Sequence, residues 1–264
     1  MLYYLKKEGD IITKCVNRGI CLIFIFILVL TSAFPQDQEE DEEESLPLSA
    51  GLEAAVYSKY IWRGMQLNPE AVFQPQVGLS LLGFEVSVWG NLELTDSLDN
   101  KGKFTEIDYS ASYTHKIGPV SASLLYIYYD YPNTDIEKTQ EVGFILEGGN
   151  PLSLEFYFYY DFDEAKGFYL KPSLSYDLDF KGIILTPSIG LGWASEKYNE
   201  YNFGPRVNSL VDTEVFLRAE VELGGGFYLS MLGSYYQLIG SKLRTEVDRG
   251  KEGFWGGGSI VFAF

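Results

Sequence analysis

From Ala50 onward the chain alternates apolar and polar residues, and this period of two returns in segment after segment. In 151–162, Leu152, Leu154, Phe156, Phe158, Tyr160 and Phe162 share one face, while Ser153, Glu155, Tyr157, Tyr159 and Asp161 share the other. The next segment sets Phe168, Leu170, Leu174, Tyr176 and Leu178 against Tyr169, Lys171, Ser173, Ser175 and Asp177. Successive side chains of a strand leave on opposite faces, so this pattern fits strands and misses the period of about 3.6 residues that a helix needs. The alternation predicts twelve strands: 51–63, 72–82, 84–95, 104–116, 119–131, 139–148, 151–162, 167–179, 182–194, 210–223, 226–239 and 254–264. Most reach the ~9–11 residues with which a tilted strand crosses a bilayer. An even count suits a closed bacterial barrel.

The connections alternate in length. Leu82-Gly83, Ile117-Gly118, Gly149-Asn150, Phe180-Lys181 and Gly224-Gly225 read as tight turns, most of them supplying the glycine that hairpins use. Between them fall longer polar loops at 64–71, 96–103, 132–138, 163–166, 195–209 and 240–253. Short turns on one rim and longer loops on the other describe an outer-membrane barrel with its turns, and both chain ends, in the periplasm. Aromatic residues mark both rims of the outward face. Tyr60, Trp62, Phe73, Phe104, Tyr128, Tyr160, Phe162, Phe168, Trp193 and Phe254 fall near the long loops; Phe84, Phe180, Phe227 and Phe264 fall near the short turns. Two girdles around a Leu/Val/Ile band fit a lipid-facing surface, whereas a soluble barrel or sandwich would turn its charges outward. The run Ser259-Ile-Val-Phe-Ala-Phe264 is the kind of ending that barrel-assembly machinery reads, which makes Phe264 the expected assembly signal. Pro75, Pro172 and Pro187 fall inside strands and each removes a ladder donor, so a bulge or break is expected at the neighbouring Pro172 and Pro187.

The first 33 residues read as an export signal. Lys6, Lys7, Lys14 and Arg18 form a basic region, Ile20–Leu30 an apolar core, and Thr31-Ser32-Ala33 a small-residue cleavage site. At eleven residues the core is short for a spanning helix. Cleavage removes both cysteines, Cys15 and Cys21, and takes the formal net charge from −17 to −19. No thiol then remains for a disulfide, metal or nucleophile, and no cofactor or metal is expected. Residues 34–49 carry the acidic run Asp37, Glu39–Glu44, read as a disordered periplasmic lead-in to a barrel domain at 50–264. The sign of the charge argues against nucleic acid.

With the apolar face on lipid, the other face lines a lumen. Acidic candidates there are Glu53, Glu85, Glu93, Glu106, Asp108, Glu141, Glu147, Glu155, Asp161, Asp177, Glu214, Glu220 and Glu222, against the basic Lys59, Arg63, Lys171 and Arg218. Acidic rings favour cations in pores. Lys59 and Arg63 are expected on the inward face of the first strand, with Gln74 and Gln76 on its neighbour and Arg218 across from them; a transverse constriction and plain structural ion pairs both fit. His115, the single histidine, sits at the short-turn end with outward parity. That is the wrong rim for a lipid-hydrolysing Ser-His pair, so an interfacial role is expected and the chain is not read as an enzyme.

The segment Tyr57-Ser-Lys-Tyr-Ile-Trp-Arg-Gly64, followed by Phe73-Gln-Pro-Gln76 and Val88-Trp89-Gly90, resembles the opening of the TorF-type porin family. The resemblance implies a small barrel porin without an established substrate and points to Arg63 and Gln76. It covers roughly the first forty residues of the domain. The expectation is therefore a twelve-stranded antiparallel transmembrane β-barrel of the Gram-negative outer membrane. Its partners would be lipid, the assembly machinery and small hydrophilic solutes, with cations favoured. The alternatives are a closed structural or adhesive barrel working through loops 195–209 and 240–253, and, further off, a phospholipase-type barrel. Lumen candidates are Lys59, Arg63, Gln74, Gln76, Glu85, Asp108, Glu141, Glu155, Lys171, Arg218 and Glu220.

Overall fold

The structure is a computed structural model that describes residues 48–264; the signal read at 1–33 and nearly all of the acidic segment lie outside the described residues. The chain begins with β1 (Leu48–Tyr57) and then forms a small hairpin, β2 (Tyr60–Trp62) and β3 (Met65–Asn68). There follow β4 (Val72–Leu81), β5 (Phe84–Glu93), β6 (Phe104–Ile117), β7 (Val120–Asp130), β8 (Thr139–Gly148) and β9 (Leu152–Asp161). The second half contains β10 (Phe168–Tyr176), β11 (Leu178–Phe180), β12 (Ile183–Ala194), β13 (Ser209–Gly224), β14 (Phe227–Leu238) and β15 (Glu252–Ala263). Two helices, α1 (Glu196–Phe203) and α2 (Ser241–Glu246), lie in the two longest loops.

Each strand pairs antiparallel with its neighbours, β15 pairs with β1, and β10 pairs with β12. Because β10 and β11 are two parts of one stave, the result is the expected closed barrel of twelve staves. The division follows from proline. Pairing between β10 and β12 skips Lys171 and Pro172, and it lapses again before resuming at Leu178↔Leu185, beside Pro187. Pairing of β4 with β5 likewise skips Gln74 and Pro75. A residue without an N–H cannot complete a ladder.

The faces separate as the alternation requires. Outward, Leu124 and Leu154 are 62% and 65% exposed, whereas the inward Ser123 is 7% exposed. Outer aromatics meet across strands at the long-loop rim, Phe168 packing on Trp193 at 5.4 Å between ring centroids. At the other rim Phe84 packs on Tyr113 at 4.6 Å and Phe227 on Phe262 at 4.5 Å. Phe264 faces outward, stacks on Phe262 at 5.1 Å, and exchanges backbone hydrogen bonds with Ala50. Leu82-Gly83 and Lys181-Gly182 take positive φ at both central residues, the two-residue turn that matches strand twist. The second of these turns lies one residue later than the sequence suggests.

The largest departure from expectation is at the first strand. A single strand over 51–63 is expected, but β1 leaves the sheet after Tyr57, and residues 60–68 fold back into the barrel mouth as the β2–β3 hairpin. Tyr60 and Trp62 are therefore inside the mouth and not in the outward girdle. Tyr60 is 9% exposed and packs on the inward Trp89, while Trp62 packs on Tyr129 and Tyr198. The physical reason is burial: these rings find a protein core in the mouth, together with α1 and α2, that a strand continuing past the rim would not offer. That core comprises Tyr169, Ala194, Tyr198, Phe203, Val211, Leu238 and Leu243, with Trp62 and Met65 packed against it.

Candidate functional site

The tip of the hairpin carries the site. Arg63 (φ 47°) and Gly64 (φ 80°) form a tight turn between Trp62 and Met65. A Cβ on Gly64 would lie 2.6 Å from the Asp212 Cβ, so the glycine is what lets the tip reach the β13 wall. The Arg63 guanidinium crosses to the β8 wall. Its Nη1 donates to Glu141 Oε1 and its Nη2 to Glu141 Oε2, both at 2.7 Å. Tyr129 donates its hydroxyl to Glu141 Oε2 at 2.8 Å, and Arg63 Nη1 donates to the Tyr198 hydroxyl at 3.4 Å.

Aromatic faces surround the charge. The guanidinium carbon lies 4.4 Å from the Trp62 ring centroid, 4.3 Å from that of Tyr159, 4.9 Å from Tyr169 and 5.8 Å from Tyr198. A desolvated cation over such a face gains about 2 kcal/mol or more. The Arg63 and Glu141 side chains are 9% and 2% exposed. Burial opposes the Arg63 charge, but Glu141 overrides it and holds the guanidinium pKa above its ordinary value. In the neighbouring loop helix, burial raises the Tyr198 phenol, with Arg63 pulling the other way.

Beside the tip, a second network ties β10 to β13 across the intervening β12. Lys171 Nζ lies 3.2 Å from Glu214 Oε2 and 3.8 Å from Asp212 Oδ2, and Tyr169 donates to Asp212 Oδ1 at 2.9 Å. Glycines on β12 make the room. A Cβ on Gly190 would lie 2.5 Å from the Lys171 Cε, and one on Gly192 would lie 2.1 Å from Asp212 Oδ1.

The remaining lumen candidates spread along the barrel. Gln74 donates to Asn91 Oδ1 at 3.0 Å, and Gln76 donates to the Ser87 hydroxyl at 3.4 Å. Glu85 is an inward, buried side chain of β5 near the short-turn rim. Glu155 accepts hydrogen bonds from Tyr157 and Ser175. Asp108 lies within electrostatic reach of Glu106, Glu141 and Arg63. Arg218 rests over Phe216 at 5.6 Å, and Glu220 is buried two residues further along β13. Lys59 does not share a strand face with Arg63, because the sheet ends before it; its Nζ approaches Gly253 on β15. His115 is exposed at the short-turn end, stacked on Tyr113 at 6.5 Å.

Asp212 and the aromatic seat of Tyr129, Tyr159, Tyr169 and Tyr198 are absent from the sequence-derived site. Asp212 has the same inward parity as Glu214, a readable signal interrupted where the β12–β13 pairing shifts register between Leu191↔Thr213 and Trp193↔Leu210. Tyr159 and Tyr169 are legible as inward. Tyr198 lies in a loop that carries no period-two signal.

No family model and no curated protein matches the sequence, so the TorF-type family finds no match. Solved structures do match in fold. A KdgM porin superposes with a TM-score of 0.51 at 9% identity, over 82% of this chain and 99% of that one. The KdgM porin in complex with disordered oligogalacturonate gives 0.50 at 12% identity, over 82% and 99%. The COG4313 outer membrane channel from Pseudomonas putida F1 gives 0.51 at 12% identity, over 86% and 100%. At such identities the likeness is one of architecture: a small porin-like barrel.

Proposed function

We propose that the protein is an outer-membrane porin-like channel through which small hydrophilic solutes diffuse passively, cations in preference to anions. The observation that carries this reading is the division of surface: apolar outside, and inside a polar wall bearing Glu85, Glu93, Glu106, Asp108, Glu141, Glu147, Glu155, Asp161, Asp212, Glu214 and Glu220. A closed sheet satisfies its backbone without edges and so suits lipid, and an acidic wall attracts cations. The short-turn rim, where β1 begins and β15 ends, then faces the periplasm, and the hairpin sits at the extracellular mouth. Outer-membrane lipid and the assembly machinery are the partners this placement implies.

Reconstitution into planar bilayers tests the reading. Discrete conductance steps are expected, with a reversal potential in a potassium chloride gradient that favours potassium. A chloride-selective potential would overturn the acidic-wall argument. The hairpin and both loop helices seated in the mouth favour a second reading, a barrel closed at rest that acts through its surface loops. Well-inserted protein that stays silent, in the wild type and in variants that release the hairpin, would establish that second reading over the first.

A further inference from the structure

Arg63 occupies a site that its own hairpin does not build. Glu141 belongs to β8, Tyr129 to β7, Tyr159 to β9, Tyr169 to β10 and Tyr198 to α1. Only Trp62 arrives with the arginine. The carboxylate accepts from Nη1 and Nη2 of the guanidinium, both at 2.7 Å, a planar fork that an ammonium ion does not match. Its Oε2 is additionally fixed by the Tyr129 hydroxyl. Tyr159 and Tyr169 present ring faces at 4.3 and 4.9 Å. If the hairpin swings out, the Glu141 carboxylate and the Tyr129, Tyr159 and Tyr169 side chains remain on the wall.

The hairpin is held by its side chains and not by the barrel sheet. Strands β2 and β3 pair only with each other, through three residue pairs, and are not part of the barrel sheet. An isolated two-stranded hairpin is marginal in water, so its position depends on what its side chains hold.

We propose that the Glu141 seat is a binding site for solutes bearing a guanidinium group, and that Arg63 is a tethered occupant which such solutes displace. The proposal rests on the channel reading for its transport role, but the binding site stands apart from it. A guanidinium solute entering the mouth competes with Arg63 for the same carboxylate and the same rings. Winning that competition frees the hairpin, so the favoured solute unlocks its own path.

The test uses the full chain in detergent micelles with methylguanidinium, titrated calorimetrically beside tetramethylammonium and sodium at equal ionic strength. Arg63→Ala should bind methylguanidinium saturably, and the double variant Arg63→Ala/Glu141→Gln should lose that binding. Neither control cation should replace it. In the wild type, methylguanidinium should expose the hairpin to trypsin at Arg63 beyond what the control cations do, a measurement that needs no variant to fold. Absence of saturable binding in folded Arg63→Ala, binding that survives Glu141→Gln, or wild-type cleavage indifferent to the cation would each overturn the proposal. Conductance of the wild type in potassium chloride separates the two readings. Conductance without methylguanidinium binding sinks the site alone, whereas binding without conductance in any variant supports the site and sinks the channel.

Discussion

In a Glu141→Gln variant the β2–β3 hairpin is expected to leave the barrel mouth and single-channel conductance to rise several-fold. The wild-type pair is bidentate, almost wholly buried, and spans 78 residues of sequence. Removing one partner of a buried pair leaves an uncompensated charge and costs about 3–5 kcal/mol. Against a marginal two-stranded hairpin, that cost shifts the docked equilibrium by about two orders of magnitude or more. Two observables should move together: larger conductance steps, and trypsin cleavage after Arg63, identified by fragment mass. Arg63→Ala should raise conductance similarly and strengthen cation selectivity, since it leaves the Glu141 carboxylate in the mouth. Unchanged conductance together with continued resistance at Arg63 would mean that the other anchors suffice: the packing of Tyr60, Trp62 and Met65 in the mouth, the Tyr236 hydroxyl on Gln66 at 3.1 Å and the buried Asn68.

The seam where the barrel closes should be as sensitive in a different way. Strand β15 pairs with β1 through Tyr57↔Gly257 and Val56↔Gly258. A Cβ on Gly257 would lie 2.0 Å from the Val56 carbonyl oxygen and 2.7 Å from the Tyr57 ring. Backbone cannot retreat cheaply there, because on the other side a Cβ on Gly256 would already meet the Leu232 carbonyl at 2.5 Å. Gly257→Val should therefore prevent closure, with loss of the compact, heat-modifiable band on gels and no channels in bilayers. Gly233→Ala, on the outer face of β14 with nothing within 4 Å of the added carbon, should leave both unchanged. A folded, heat-modifiable Gly257→Val protein would show that the seam can open and re-pair in another register.

Much of the fold was legible because a strand's two faces are written residue by residue. Leu152 to Phe162 and Ser153 to Asp161 separate outside from inside as the alternation requires, and the tight turns confine how the strands connect. Proline effects were legible too, since a missing N–H breaks the ladder wherever it falls. The site was legible only in its parts. Glu141, Lys171 and Tyr159 have inward parity, and Asp212 shares that of Glu214. The α1 residue Tyr198 had no pattern to announce it, because an eight-residue helix inside a loop is held by its neighbours and by Asn199 donating to the Val207 carbonyl.

The amino-acid sequence alone determined an antiparallel barrel of twelve staves, its lipid-type exterior and its acidic interior, because each follows from local alternation and from the turns between strands. Only the tertiary structure decided what fills the mouth. Tyr60-Ile-Trp-Arg-Gly64 continues the first strand's pattern well enough to be read as its last turn of pleat. Whether it runs on past the rim or folds inward depends on partners that the closed barrel alone brings within reach: Glu141, Tyr159, Tyr169, Tyr198 and Asp212. A contact across 78 residues leaves no trace in periodicity.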